Sequence, residues 1–396
     1  MKEHTMKLQA TILACLAFGA VAPLSAQDVT ITNARIIGPD ATVIENGSIV
    51  VRAGRIVSVA PGAPAAVSGS TIDARGMTAM PGFIDAHRHI NTGPDEAAEM
   101  QNQLEAGYTT ILSGGGPAEG NMMLREHIES GRINGPRIIP SGRLRLEQHT
   151  PETARTEIRK MADMGIKWTG EIGLTPEPGP TAHEIEVLKA VLDEGRKTGV
   201  TIQVHAVSTP AMMAAVDAGV RRLVHLPNKD WTSVEDAERV AAAGAQILAT
   251  IGFGAPVFGV FADDNVPRFR DGNAWPESIA GGVRLGEEAG YMPVNARTVW
   301  DAGVTLGYCT DTRYDALAGL EHELKSFNMM FSMRDMVRIM GPNTASYIQM
   351  ADDLGTIEAG KIADIILLDG DPLEGYWNWL KTVVVLKDGV VVVDKR

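Results

Sequence analysis

Three hundred and ninety-six residues exceed one ordinary small domain and call for two or three, or for one α/β barrel with an accessory unit. Apolar residues at 44% and charged ones at 21% exclude an intrinsically disordered chain. Lys+Arg 36 against Asp+Glu 49, a net charge of −13, excludes a nucleic-acid binder working by phosphate neutralisation, and two cysteines exclude a disulfide scaffold or a Cys-rich zinc module.

Residues 1–26 predict a secretory leader. Lys2 and Lys7 are basic, Leu8 to Leu24 is apolar, and Leu-Ser-Ala precedes Gln27. The apolar run is short and broken by Pro23, which argues against a membrane anchor. Cleavage after Ala26 would remove Cys15 and leave Cys309 as the only thiol. The expected location is periplasmic or secreted, with no membrane attachment once the leader is gone.

From Val29 to Ile72 short alternating segments, VTITNARII and SIVVRAGRIVSVA, predict an antiparallel hairpin assembly turning at Gly54. The far end, ADIILLDGD and TVVVLKDGVVVVDKR, predicts strands punctuated by Asp-Gly turns. Neither end has enough strands to bury two faces, so the two predict one small β-domain built from both termini.

Between them eight apolar strand candidates alternate with helical stretches: GFIDAH, TTILSGG, RIIPSG, KWTGEIGL, TIQVHAV, RLVHLP, QILATIGF and TLGYCTD. The clearest helix is HEIEVLKAVLDEGRKTG, with Ile185, Leu188, Val191, Leu192 and Gly195 on one face. Ala-Gly pairs at 106–107, 218–219 and 302–303 predict helix ends feeding strands. The alternation predicts α/β class, a (β/α)8 TIM-like barrel, with a doubly wound open sheet as the alternative. Gly252 to Pro293, rich in Gly, Pro, Asn and Trp, predicts an irregular cover over the active end.

Barrel enzymes present reactive groups at the carboxyl ends of strands. His87, His89, His205 and His225 fall at or near such ends; His127, His183 and His322 fall in helical stretches, His149 in a loop and His4 in the leader. His87 and His89 are two apart and point the same way from an extended strand. One strand histidine is ordinarily a packed, hydrogen-bonded residue; four on strands one, five and six exceed what packing explains. Glu171 and Asp311 are the carboxylate candidates, each in an apolar strand where ionisation needs a cation. Asp85, two before His87, either supports the site or orients a turn. Four imidazoles and two carboxylates are enough ligands for two metals sharing a bridge.

The segment MPGFIDAHRH resembles the first-strand signature of the amidohydrolase superfamily, in which a His-X-His pair ends strand one. LGTIEAGKIADIILLDGDPL and ITNARII…GRIVSV are similar to that superfamily's composite β-domain, as in its imidazolonepropionase, prolidase and enamidase-like group. The resemblance implies a barrel over 80–350 and a small composite β-sandwich domain from 27–79 and 351–396. It further implies that His87 and His89 bind a first, buried metal, that His205 and His225 bind a second, and that Asp311 completes the first shell and shuttles the proton. The bridging ligand departs from the commoner pattern of a carboxylated lysine. Lys167 lies early in its strand, whereas Glu171 lies four residues nearer the carboxyl end, so Glu171 is the expected bridge.

The resemblance and the ligand pattern together imply an exported metal-dependent amidohydrolase with two divalent ions, zinc foremost, with manganese, iron or nickel compatible. A hydroxide shared by the ions would attack a small molecule's amide, cyclic amide or N-acyl amino-acid carbonyl. Ester or lactone hydrolysis and a non-catalytic metal- or solute-binding relative are the alternatives; the sequence leaves a homo-oligomer open. Arg143, Arg145 and Arg313 are candidates for holding a substrate carboxylate, and His149 for donating to the scissile carbonyl. Each has an ordinary reading as a solvated loop residue. Cys309 is expected to pack, and Gly114-Gly115-Gly116 to end strand two and leave room for substrate.

Overall fold

A computed structural model describes residues 28–90, 92–252, 285–311 and 315–396. The expected leader, Arg313, and residues 253–284 of the expected cover lie outside them.

Strands β1 (Val29–Ile37), β2 (Val43–Arg52) and β3 (Arg55–Pro61) form the antiparallel meander that the alternation predicts. The β2–β3 turn places Ala53 (φ 46°) and Gly54 (φ 79°) in the left-handed region, as a two-residue hairpin of matching twist requires. Strands β4 (Ser70–Asp73) and β5 (Thr78–Pro81) depart from the expected hairpin series, because both pair with β1 in parallel. Once β2 and β3 have filled one side of β1, the chain must cross back to reach the other, and it arrives running in the direction of β1.

Ten strand segments follow over the eight sequence candidates, the third and fourth candidates each being split in two. They begin with β6 (Phe83–Arg88), β7 (Tyr108–Ser113) and β8 (Arg137–Ile139), paired in parallel. Pro140 has no N–H, and β9 (Ser141–Gly142) resumes beyond it, paired with β10 (Trp168–Thr169). After a break at Gly170-Glu171, β11 (Ile172–Gly173), β12 (Val204–His205), β13 (Arg222–Val224), β14 (Gln246–Ala249) and β15 (Thr305–Tyr308) run parallel in that order. Beyond β15 the chain returns to β6: the Asp311 N–H donates to the His87 carbonyl at 2.8 Å. Ile84, Ala86, Leu112, Trp168, Val224, Leu248 and Cys309 from these strands form one buried cluster.

Helices connect the strands. Ala182–Thr198 buries Val187, Leu188, Val191, Leu192 and Gly195, close to the face read from its periodicity, and a Thr181–Glu184 capping box starts it. The three Ala-Gly pairs end helices as predicted, with Gly107, Gly219 and Gly303 at positive φ. The irregular reading up to Pro293 is corrected, since Leu285–Asp301 is a helix with Pro293 inside it. Met292, Ala296 and Val299, spaced 4 and 3 apart, are buried on one face, and that packing outweighs one lost backbone hydrogen bond.

The chain ends in β16 (Ile365–Leu368), β17 (Thr382–Lys387) and β18 (Val390–Asp394); β16 pairs antiparallel with β5. Strands from both ends therefore share one sheet, ordered β18-β17-β16-β5-β1-β2-β3 with β4 also on β1. The predicted Asp-Gly turn joins β17 to β18 with Asp388 at φ 51° and Gly389 at φ 77°. Val29, Ile31, Ile49, Val51, Ile365, Leu367, Val384 and Leu386, at alternate positions, pack one face of that sheet.

Candidate metal centre

The predicted residues converge at the carboxyl ends of the parallel strands. His87 is the penultimate residue of β6 and His89 follows it; His205 ends β12, and His225 directly follows β13. Asp311 lies just beyond β15, and Glu171 occupies the break between β10 and β11. That break sets strand four against strands three and two: the Gly170 N–H donates to the Gly142 carbonyl at 2.6 Å, and the Glu171 N–H to the Gly114 carbonyl at 3.3 Å. A Cβ on Gly170 would lie 2.8 Å from the Gly115 Cα, and one on Gly114 would lie 2.8 Å from His87 Nε2, so neither position admits a side chain without movement.

Glu171 Oε2 lies 2.8 Å from His205 Nδ1, 3.1 Å from His225 Nε2 and 3.6 Å from His87 Nε2. Asp311 Oδ1 lies 2.9 Å from His89 Nε2 and 3.5 Å from His87 Nε2, and its Oδ2 3.5 Å from His225 Nε2. Two overlapping sets of ligand atoms result, His87/His89/Asp311 and His87/Glu171/His225, each within 4.8 Å. His87 is fully buried, yet neither of its ring nitrogens has a hydrogen-bond partner, and Asp311 Oδ1 has none either. Buried polar atoms are rarely left so; burial opposes a charge on His87, Asp311 and Glu171 raise it above its ordinary value all the same, and an imidazole held between two carboxylates matches the donor chemistry of a dication site.

The electrostatics agree. Burial opposes ionisation of Glu171, but hydrogen bonds from His205 and His225 hold its carboxyl well below the usual range. Asp311 is likewise held low, against burial, by His87 and His89. Burial keeps His225 below its ordinary value, favouring the neutral form that ligates. His225 (φ 69°) and Asp311 (φ 50°) occupy the left-handed region, unfavourable for residues with a Cβ. Backbone bonds pin both: the His225 N–H donates to the Leu248 carbonyl at 2.9 Å, and the Asp311 N–H to the His87 carbonyl.

The surroundings hold groups that the sequence reading missed. The Thr250 hydroxyl is 2.5 Å from His225 Nδ1, leaving Nε2 to face the carboxylates. Asp85, left ambiguous by sequence, ties β6 to β15: it accepts from the Thr310 N–H at 3.1 Å, the Thr310 hydroxyl at 2.6 Å and the His87 N–H at 3.2 Å. His322, read as a helical bystander, is buried with Nε2 2.6 Å from the Gly252 carbonyl; its neighbour Glu323 accepts from the Gly252 N–H at 3.0 Å. The signal available was helical spacing, since Leu320, Glu323, Leu324 and Phe327 share the buried side of Ala316–Phe327.

A cavity of about 350 Å³ opens over the centre, walled by Glu171, His205, His89, Gly114 to Gly116, Arg143 and Arg145. The glycine run thus takes its predicted place. Lys167 is exposed near the start of its strand, away from the imidazoles that Glu171 meets. His149 sits beside the cap of helix Pro151–Asp163, its Nδ1 3.3 Å from Thr153 Oγ1, and is not part of the cavity wall. Cys309 is fully buried and packs in the strand cluster, and burial pushes its thiol up.

An ordered series of parallel strands with imidazoles and carboxylates at its carboxyl ends defines a metal-dependent hydrolase architecture. This chain belongs to the amidohydrolase family, whose sequence profile matches residues 78–251 and 289–394. Imidazolonepropionase from Caldanaerobacter subterraneus subsp. tengcongensis is 24% identical over 410 residues, 88% of this chain and 91% of that protein. The Porphyromonas gingivalis imidazolonepropionase is 25% identical over 84% of each chain. Among solved structures, a Xaa-Pro dipeptidase with bound methionine superimposes with a TM-score of 0.77 at 21% identity, covering 92% of this chain and 100% of that one. An ochratoxinase of A. niger gives a TM-score of 0.75 at 18% identity, covering 93% and 96%. These amidohydrolase neighbours define the fold as a TIM-like barrel of mixed α/β content.

Proposed function

We propose that the protein is an exported hydrolase of a carbon–nitrogen bond in a small molecule, an amide, cyclic amide or N-acyl amino acid, with Asp311 as its proton carrier. Family membership and the imidazolonepropionase relatives support the reaction class. The observation that carries the reading is His87, buried without a hydrogen-bond partner between the Glu171 and Asp311 carboxylates. The donors fit two divalent ions, zinc foremost: His87, His89 and Asp311 would hold one, His205 and His225 the other, and Glu171 would serve both. When bound, such ions supply an acidified water and a polarised carbonyl.

The chain's own residues do the remainder. Asp311, held ionised, accepts the proton of the attacking water and returns it to the leaving nitrogen, so one carboxyl serves as base and then acid. Glu171 orients His205 and His225 through its Oε2. Gly114 to Gly116 leave the cavity floor open to the substrate. Residues 1–26 serve as the leader, directing the protein to the periplasm or outside the cell. The barrel spans 80–350, and the composite β-domain 27–79 with 351–396.

The test is turnover of an amide and ester panel by protein loaded with zinc, manganese, nickel or iron in turn, with Asp311→Asn beside it. The variant is expected to lose about 10²- to 10⁴-fold in kcat. Full activity in Asp311→Asn would overturn the proton assignment. Metal-loaded wild type that turns over neither amide nor ester would favour a binding protein.

A further inference from the structure

The loop after the third strand reads Gly142-Arg143-Leu144-Arg145-Leu146-Glu147. Leu144 and Leu146 are 2% and 1% exposed and belong to the main apolar core. Arg145 between them is extended (φ −119°, ψ 116°), and side chains of an extended segment alternate. Burial of the two leucines therefore turns Arg143 and Arg145 to the opposite side, and both line the cavity over the metal centre. Other arginines of the barrel meet counter-ions: Arg137 pairs with Asp364 and Asp388, and Arg155 with Asp193 and Glu194. Arg143 and Arg145 meet none among the described residues, although the chain carries 49 acidic residues. Both side chains are exposed to the cavity, where two guanidiniums on one wall suit an anion seated between them.

Resting on the hydrolase reading, we infer that the substrate carries a free carboxylate, held by Arg143 and Arg145 while its scissile bond reaches the Glu171–His205 side of the same cavity. Guanidinium forks match a planar carboxylate in two parallel hydrogen bonds, which a neutral amide cannot reproduce. Glu147, on the same wall, disfavours a second negative group near the first. The preferred substrates are thus monoanionic: N-acyl amino acids or ring amides bearing one acid arm, in preference to their esters or carboxamides.

The experiment pairs N-acyl amino acids with the matching C-terminal carboxamides, following release of the acyl acid by the zinc-loaded full-length protein. Wild type is expected to favour the acid by about 10- to 100-fold in kcat/KM, the range of a lost charged hydrogen-bond pair. In Arg143→Met/Arg145→Met that preference should collapse toward unity, mainly through a rise in KM for the acid. Calorimetry with 3-phenylpropanoate and 3-phenylpropanamide reads the same discrimination without turnover. Equal use of acid and carboxamide by wild type overturns the inference and leaves the hydrolase reading standing. Carboxylate binding that the double variant does not weaken also overturns it, because the anion then sits on the metals. Carboxylate-selective binding lost in the double variant, without turnover of any amide, upholds the subsite and overturns the hydrolase reading.

Discussion

At the scale of single residues, the metal centre depends on a side chain that ligates nothing. His225 can offer the Nε2 lone pair to a bound ion only in the tautomer whose Nδ1 bears the proton, and the Thr250 hydroxyl 2.5 Å from Nδ1 stabilises that tautomer by accepting the proton. Thr250→Val keeps the shape and removes the acceptor. Metal affinity is expected to fall about 10- to 100-fold, read by competition with a chromophoric chelator, and Thr250→Ser to restore most of it. Unchanged affinity in the valine variant would show that the hydroxyl does not position His225. No feature of the sequence marks Thr250, because its role arises from the neighbouring strand. That the four histidines and Asp311 come together was legible because strand parity and strand ends constrain where they lie. The place of Glu171 against the imidazoles was legible because an ionised carboxylate in an apolar strand needs a partner.

At the scale of elements, each of the eight apolar runs carries parallel strand, and the Asp-Gly turn of β17–β18 could be read from its chemistry. The parallel return of β4 and the helix through Pro293 could not be read, since each is decided by packing partners distant in sequence. The helix Ala316–Phe327 illustrates such a distant contact. Its Glu323 is 1% exposed and accepts from the Gly252 N–H, and burial pushes its carboxyl well above the ordinary range. In the folded protein it is protonated at pH values where the unfolded chain, near its ordinary value of about 4.3, has already ionised. The folded state therefore binds more protons, and stability is full below about pH 4 and declines as pH rises toward the folded value. Glu323→Gln retains the acceptor oxygen and cannot ionise. Its unfolding free energy in urea, relative to wild type, should rise between pH 5 and pH 8, by up to about 1.4 kcal/mol for each pH unit before the folded carboxyl titrates. A difference that stays constant across that range would mean Glu323 is ionised in the fold.

At the scale of the whole molecule, the sheet made from both chain ends meets the parallel strands at their amino ends, opposite the metal centre. Arg137, first residue of β8, is the polar link: its Nη1 donates to Thr110 Oγ1 at 2.8 Å and Asp364 Oδ2 at 2.7 Å, and its Nη2 meets Asp388 in the β17–β18 turn. Around it the contact is apolar, with Phe83 stacked on Trp379 at 5.8 Å between ring centroids. Asp364 is almost fully buried, so removing the guanidinium leaves its charge without a counter-ion and with the Asp388 N–H as its remaining hydrogen bond at 2.8 Å. Arg137→Met is expected to destabilise the protein by about 3–5 kcal/mol in urea unfolding, while Arg137→Met with Asp364→Asn recovers part of that loss. Below the unfolding transition kcat should stay at the wild-type level in both, because the ligands and the cavity lie at the other ends of the strands. A drop in kcat without a drop in stability would show that the two ends of the barrel are coupled, and that the terminal sheet does more than hold the strands together.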